Sequence, residues 1–290
     1  MVRPTWPTGD QIERLSSLLG GVGAFRAVSG GFSAAGLWIV ETPSGTVFVK
    51  VAVNEDTARW LRDEARIYQG VAGPFMPRLV CFDDEGDRPL LVVEDLSHHR
   101  RPPPWTSPDA DAVLASLEAM WATPVPPDLP PADDGLFTLW DEIATDPAPV
   151  LVSGQLTLEW LDAWVPAMQH AAAQATPEGS ALIHQDIRSD NLAIGPDGIA
   201  RFFDWNWAAV GNAQLDLAAW LPSLAMEGGP KPWEVMIDGG PYAAVLAGYF
   251  IWAAAQPLVA EVAPHIRAFQ RAQGEVALQW ACRELGIPPK

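Results

Sequence analysis

Three polar residues carry the chemistry that this sequence can perform. Asp186 lies two residues after His184 and five before Asn191, in Leu182-Ile-His184-Gln-Asp186-Ile-Arg-Ser-Asp-Asn191-Leu192. Asp204 follows in Phe202-Phe-Asp204-Trp, 13 residues beyond Asn191. A carboxylate beside a substrate hydroxyl can orient it and accept its proton. An amide oxygen and a second carboxylate are the hard ligands that Mg²⁺ takes when it rides on nucleotide phosphates. The set suits phosphoryl transfer, with Asp186 at the acceptor and Asn191 and Asp204 at the metal.

Such groups need rigid supports. Apolar pairs frame them: Leu182-Ile183, then Leu192 to Ile194, then Phe202-Phe203. A turn at Pro196-Asp-Gly198 makes the last two a β-hairpin. Upstream, Phe25 to Val28, Leu37 to Glu41 and Thr46 to Val51 read as antiparallel strands, the first two joined by Ser29-Gly-Gly-Phe-Ser-Ala-Ala-Gly36. Glycines let backbone N–H groups approach phosphates closely, so Gly30 and Gly31 are candidate phosphate cover and Ser33 a candidate hydroxyl donor. By itself the same stretch also reads as a plain turn.

Lys50 ends the apolar run Val47-Phe-Val-Lys50. Facing inward it needs an anion; at an edge it points to water. A helix from about Asn54 or Glu55 to Val71 sets Leu61, Glu64, Ala65 and Tyr68 on one face, which leaves Glu64 among apolar neighbours. A Lys50–Glu64 ion pair resolves both oddities. Arg78 to Phe82 and Pro89 to Val93 read as two further strands. Ser107-Pro108 reads as an N-cap with Pro at the first helical position, and from there the pattern is helical, with a kink or break expected at Pro166 in the helix around 157–175.

The 290 residues suffice for two lobes. Two cysteines, far apart and in no ligand spacing, read as free thiols of a reducing compartment. The first residues, Met1-Val-Arg-Pro-Thr-Trp-Pro7, show no apolar run of a signal peptide, and a cytoplasmic location is expected. Tyr242 to Ala260 carries no charge, but its alanines, Gly248, Gln256 and Pro257 favour a buried helix over a membrane span. The net charge is −18: residues 1–96 hold 13 acidic and 9 basic side chains, residues 97–290 hold 23 and 9. Nucleic-acid binding needs clustered Lys and Arg, which are absent. The acidic second half fits either attraction of a cationic small substrate or solubility alone. Glu227, Glu234, Asp238 and Glu261 are candidate contacts for ammonium groups, and several of the 14 tryptophans are candidate pocket walls.

The motifs Leu182-Ile-His184-Gln-Asp186-xxxx-Asn191, Phe203-Asp204-Trp and Gly211-xxxx-Asp216-Leu-Ala resemble those of the aminoglycoside phosphotransferase and choline kinase-like enzymes. The order of glycine hairpin, strand lysine, helix glutamate, Leu90-Leu-Val-Val-Glu-Asp-Leu96 linker and catalytic loop is similar too. The resemblance covers roughly residues 20–225 and implies an α+β, bilobal protein-kinase-like fold. An antiparallel-sheet N-lobe with one main helix (1–96) would bind nucleotide, and a mainly helical C-lobe (97–290) would hold the catalytic loop and acceptor. It implies ATP and Mg²⁺ as cofactors. Asp186 would be the catalytic aspartate, Asn191 and Asp204 the metal ligands, and Lys50, paired with Glu64, the α/β-phosphate contact. The backbone of Glu94 and Leu96 would meet the adenine edge, and Asp216 would brace the catalytic loop.

Arg188 sits where a cation can stabilise the transferring phosphate or, alternatively, pair with Asp190. Gln185 replaces a usual glycine. Only 12 residues separate Asp204 from Asp216, too few to dock an extended polypeptide. The expected acceptor is therefore a hydroxylated, cationic small molecule: an amino sugar, an aminoglycoside-like antibiotic or choline.

Overall fold

The computed structural model describes residues 6–28, 35–85, 88–257, 265–288 and 290. Helix α1 (Gly9–Leu19) starts at Thr8, whose hydroxyl accepts from the Gln11 N–H while the Gln11 side chain accepts from the Thr8 N–H. Strands β1 (Phe25–Ala27), β2 (Gly36–Thr42), β3 (Gly45–Val51), β4 (Leu79–Asp83) and β5 (Leu90–Glu94) form an antiparallel sheet in the order β1-β2-β3-β5-β4. The candidate residues Gly30, Gly31, Ser33 and Glu261 lie outside the described residues.

The pleat sorts this sheet into two faces. Val47, Val49 and Val51 of β3 join Leu15 of α1, Trp38, Val40, Leu90 and Val92 in a small core on one side. Phe48 and Lys50 therefore face the other side, toward α2 (Glu55–Gly70). Helix α2 is capped by the Asn54 side chain, which accepts from the Thr57 N–H at 2.9 Å. Its buried face carries Leu61, Glu64, Ala65 and Tyr68, the face expected from their spacing. That side of the sheet shares one continuous core with the helices that follow.

Those helices are α3 (Ser107–Trp121), α4 (Leu139–Thr145), α5 (Ala148–Ser153), α6 (Leu158–Ala172), α7 (Ala213–Met226), α8 (Pro232–Val235), α9 (Gly240–Ala255) and α10 (Ile266–Leu285). Two short ladders interrupt them, β6 (Ala181–Ile183) with β9 (Ala209–Gly211), and β7 (Leu192–Ile194) with β8 (Ala200–Phe202). The bilobal α+β class expected from the resemblance is thus observed.

Two local expectations differ from the structure. The cap of α3 is Thr106, one residue before Ser107, because the Asp109 carboxylate reaches back to the Thr106 N–H at 2.9 Å. Helix α6 runs through Pro166 unbroken. Asp162, whose carbonyl loses its helical donor there, is exposed, so water can satisfy it.

The uncharged stretch forms α9, a buried helix, and no described helix is long and apolar enough to cross a membrane. Close packing around α9 depends on small residues. The Trp140 indole of α4 donates to the Ala244 carbonyl at 2.7 Å and lies where a Cβ on Gly248 would sit 2.9 Å from its nitrogen. Gly274 likewise brings α10 against Phe250 of α9. A branched side chain at 248 must displace a fully buried, hydrogen-bonded indole. Gly248→Val should therefore cost about 1–3 kcal/mol, read as a lower urea midpoint with an unchanged slope.

Candidate active site

The cleft between the sheet and the helical half is a cavity of about 1020 Å³. Lys50, next to last in β3, extends into it and is 8% exposed. Its ammonium meets Glu64 Oε1 and Oε2 at 2.9 and 2.7 Å and Asp204 Oδ1 at 2.9 Å. The Asp204 N–H also donates to Glu64 Oε1, at 3.2 Å. The pair inferred from two sequence oddities is present, and Asp204 joins it. Burial works against the charge on Lys50, but Asp204 and Glu64 outweigh it and hold the ammonium above its ordinary pKa. Burial raises Glu64, and Lys50 opposes that rise. Asp204 is held below the carboxylate range: Lys50 overcomes the effect of burial.

Asp186 lies on the loop between β6 and β7. Arg188 Nη1 donates to Asp186 Oδ1 at 2.7 Å, and Asn191 Nδ2 donates to Asp186 Oδ2 at 2.8 Å. The second contact turns Asn191 Oδ1 away from Asp186. Neither that oxygen nor Asp204 Oδ2 accepts a hydrogen bond from any described residue. One amide and one carboxylate oxygen are therefore uncommitted in the same cleft, a donor set that fits Mg²⁺. Arg188 also pairs with Asp190, through Nε at 2.9 Å, the second of the two expected arrangements. Burial pushes the Asp186 carboxyl up to about 7, against the pull of the Arg188 guanidinium.

A buried carboxylate sets the shape of this loop. Asp216, at the first turn of α7 and fully buried, accepts from the backbone N–H groups of His184 (2.9 and 3.0 Å) and Gln185 (2.6 Å). The Trp121 indole donates to it as well, at 3.3 Å. Gln185 is held at φ +66, the left-handed region, which explains why glycine suits this position. His184 lies beneath the loop with its ring 4.6 Å from that of Trp205. Its Nδ1 accepts from the Asp186 N–H at 3.3 Å, which puts its proton on Nε2, donating to the Phe203 carbonyl at 3.2 Å.

At the sheet end of the cleft, the Glu94 N–H donates to the Arg78 carbonyl, and the Arg78 N–H to Glu94 Oε2. The Leu96 carbonyl accepts from the His99 N–H. Among the described residues, no hydrogen bond outside the strand ladders engages the Glu94 carbonyl or the Leu96 N–H, an acceptor and a donor two residues apart, both residues lining the cavity.

Beyond Asp186 the wall differs from expectation. Among the described candidate carboxylates, Glu227 accepts from Trp105 Nε1 (2.8 Å) and Ser189 Oγ (2.6 Å), and Glu234 accepts from the Lys231 N–H (2.8 Å). Neither they nor Asp238 line the cavity. Its far wall is formed by α9 and α10, with Tyr249, Phe250, Ile266, Phe269, Gln270 and Gln273. The signal for these residues was the i, i+3, i+4, i+7 spacing of 266, 269, 270 and 273, which the sequence reading absorbed into an undivided helix. Of the tryptophans, Trp140, Trp205 and Trp220 are core, while Trp207 stands at the cavity, 58% exposed.

The sequence matches the phosphotransferase enzyme family over residues 24–277. The chain belongs to this family. It is an ATP-dependent phosphotransferase acting on hydroxyl groups. No curated protein matches the sequence. Among solved structures, a spectinomycin phosphotransferase in complex with ADP and spectinomycin is similar at TM-score 0.61 and 14% identity, covering 96% of this chain and 99% of that one. A mutant aminoglycoside phosphotransferase in ternary complex with AMP-PNP and hygromycin B has TM-score 0.57 and 14% identity, covering 94% and 98%. The choline kinase of Streptococcus pneumoniae has TM-score 0.55 and 14% identity, covering 94% and 96%. At such identities the likeness is one of fold.

The buried imidazole makes this loop sensitive to acid. Burial lowers the pKa of His184 from 6.5 to about 4. The folded form holds it neutral, so its contribution is fully present above 6.5 and is lost as the pH falls toward 4. The loss across that window should be on the order of 3 kcal/mol. The difference between the wild type and His184→Asn in urea unfolding at pH 7 and at pH 4 measures it, since Asp186 and Asp216, raised by burial to about 7 and about 6, shift stability the other way in the same window.

Proposed function

We propose that this cleft transfers the γ-phosphoryl group of ATP to a hydroxyl of a small-molecule acceptor, with residues 1–96 as the nucleotide lobe and 97–290 as the catalytic and acceptor lobe. The observation that carries the reading is the Lys50 ammonium held between Glu64 and Asp204, in one cavity with Asp186 and Asn191. Buried lysine and paired carboxylates are costly to assemble, and phosphate binding is a use that needs them.

In this reading the Glu94 carbonyl accepts from the adenine amino group and the Leu96 N–H donates to the adjacent ring nitrogen. Lys50 meets the α/β-phosphates while Glu64 holds it in place. Asn191 Oδ1 and Asp204 Oδ2 would hold Mg²⁺, which when bound offsets the charge of the β- and γ-phosphates. Asp186 orients the acceptor hydroxyl and takes its proton as the oxygen attacks phosphorus. Arg188, bonded to Asp186, fixes that carboxylate and places positive charge beside the transferring group. The short Asp204–Asp216 segment supports a small acceptor over a polypeptide. The names of similar structures offer spectinomycin, hygromycin B and choline as the kinds of acceptor to try first, within the expected range of amino sugars, aminoglycoside-like antibiotics and amino alcohols.

Asp186→Ala should lower kcat by about 10²–10⁴-fold or more with little change in the KM for ATP, because the residue acts on the hydroxyl rather than the nucleotide. Coupled ADP release measures both constants. Turnover near the wild-type rate would remove Asp186 from this role.

A further inference from the structure

The acceptor wall carries its own chemical signature. The described ionisable side chains in that half of the cavity include Asp133, Asp186, Arg188, Asp190 and Arg267. Arg188 is bonded to both Asp186 and Asp190. Asp133 accepts from the Gly135 N–H at 2.9 Å, and Arg267 donates to Gln270 Oε1 at 2.7 Å and to the Pro257 carbonyl at 2.8 Å. Little net charge is left to hold a polycation, in a chain whose overall charge is −18. The surface between these groups is apolar and aromatic: Leu246, Tyr249 and Phe250 from α9, Ile266 and Phe269 from α10, and Trp207 at the mouth.

One polar side chain breaks this wall. Gln273 is 2% exposed, lines the cavity, and its amide makes no hydrogen bond to any described residue. Its oxygen and nitrogen open onto the cavity rather than being sealed in protein, so a molecule bound there can pair with them. One turn earlier, Gln270 gives its oxygen to Arg267, and its Nε2 bonds to no described residue. The two amides lie three residues apart on α10, the spacing that places side chains on one helix face.

We propose that the acceptor is an uncharged, largely apolar alcohol whose second polar handle is a ketone, ester or amide, bonded by the amides of Gln273 and Gln270. This rests on the phosphotransfer reading of the cleft and sets a neutral acceptor class against the cationic ones named above. The apolar body packs on Tyr249, Phe250, Ile266 and Phe269, where burial contributes roughly 25 cal/mol per Å². The amides fix its orientation, since a hydrogen bond that the site is built to make discriminates more sharply than apolar contact. The reaction balances without a further reactant. The acceptor O–H bond breaks with its proton passing to Asp186, an O–P bond forms to the γ-phosphorus, the bond to the β–γ bridging oxygen breaks, and ADP leaves.

The test is steady-state ADP release by the wild-type protein with ATP and Mg²⁺ against two sets of acceptors. The neutral, apolar set is hydrocortisone, testosterone and benzoin, three hydroxy-ketones of different shape; the cationic set is kanamycin and choline. Expected is stimulation over the acceptor-free rate by at least one neutral compound, with kcat/KM at least about ten-fold above either cation. Stimulation confined to the cations, or none by the neutral set, overturns the proposal. Binding of ATP with Mg²⁺, followed as a rise in Tm, separates this failure from failure of the phosphotransfer reading, in which that rise is absent.

Gln273→Leu reports on the handle. It should raise KM for the best neutral acceptor by about three- to ten-fold while kcat stays within about two-fold, since the amide binds alike before and during transfer. An unchanged KM in a variant that keeps its ATP-induced rise in Tm overturns the role of Gln273.

Discussion

A single ammonium group held by two carboxylates ties the sheet, helix α2 and the catalytic half together. Lys50 has three donors and spends them on Glu64 Oε1, Glu64 Oε2 and Asp204 Oδ1. A buried lysine with fewer partners would lose its proton or turn to water. Strand β3 and helix α2 are consecutive, but Asp204 lies 140 residues beyond Glu64, so the triad closes only when the segment that carries Asp204 packs against both. Its members are unequal. The Glu64 side chain is 2% exposed and that of Asp204 44%. In the proposed reading, phosphate oxygens would compete most readily for the donor that faces Asp204, with the Glu64 contact left as the fixed support and Asp204 freed to hold Mg²⁺.

The catalytic loop depends on a second buried carboxylate. Asp216 collects N–H groups from His184 and Gln185, and the Asp186 N–H goes to His184 Nδ1. Three successive backbone donors are thus directed inward. The left-handed conformation of Gln185 costs on the order of 1–2 kcal/mol in a residue with a Cβ, and the short bond from its N–H to Asp216 offsets it. Asp186 is thereby placed by its neighbours' backbones rather than by its own side chain. Its carboxylate is left to Arg188 and Asn191 and to the acceptor hydroxyl.

Legibility in the sequence followed the range of the interactions. The spacing of Asp186, Asn191 and Asp204 was readable because one hairpin carries all three. The pairing of Lys50 with Glu64 was readable because each was a charge at an apolar position, which has few physical solutions. The starts of α2, α3 and α6 were readable to within a residue, with Thr106 displacing Ser107 as cap because Asp109 was available to close the turn. The breadth of the cavity's far wall was not readable. Ile266, Phe269, Gln270 and Gln273 show the spacing of any amphipathic helix, and that spacing does not distinguish a face against core from a face against a cavity. Of the two alternatives for Arg188, the pairing with Asp190 is the one observed, and the same guanidinium also reaches Asp186.

The same limit explains why the acidity of the chain pointed toward a cation. Net charge is a property of the whole surface, whereas recognition depends on which carboxylates face the cavity with oxygens to spare. Glu227 bridges Trp105 and Ser189, Glu234 closes the first turn of α8, and Asp109 caps α3. These carboxylates are engaged in holding backbone and side-chain donors, and their charge reaches the cleft only as a screened field. Under the proposal above, the short-range terms prevail at the wall itself: apolar contact over the aromatic surface and hydrogen bonding to an amide with no partner among the described residues. A negative chain and a nearly neutral binding wall are then compatible, the first serving solubility and the second the choice of acceptor.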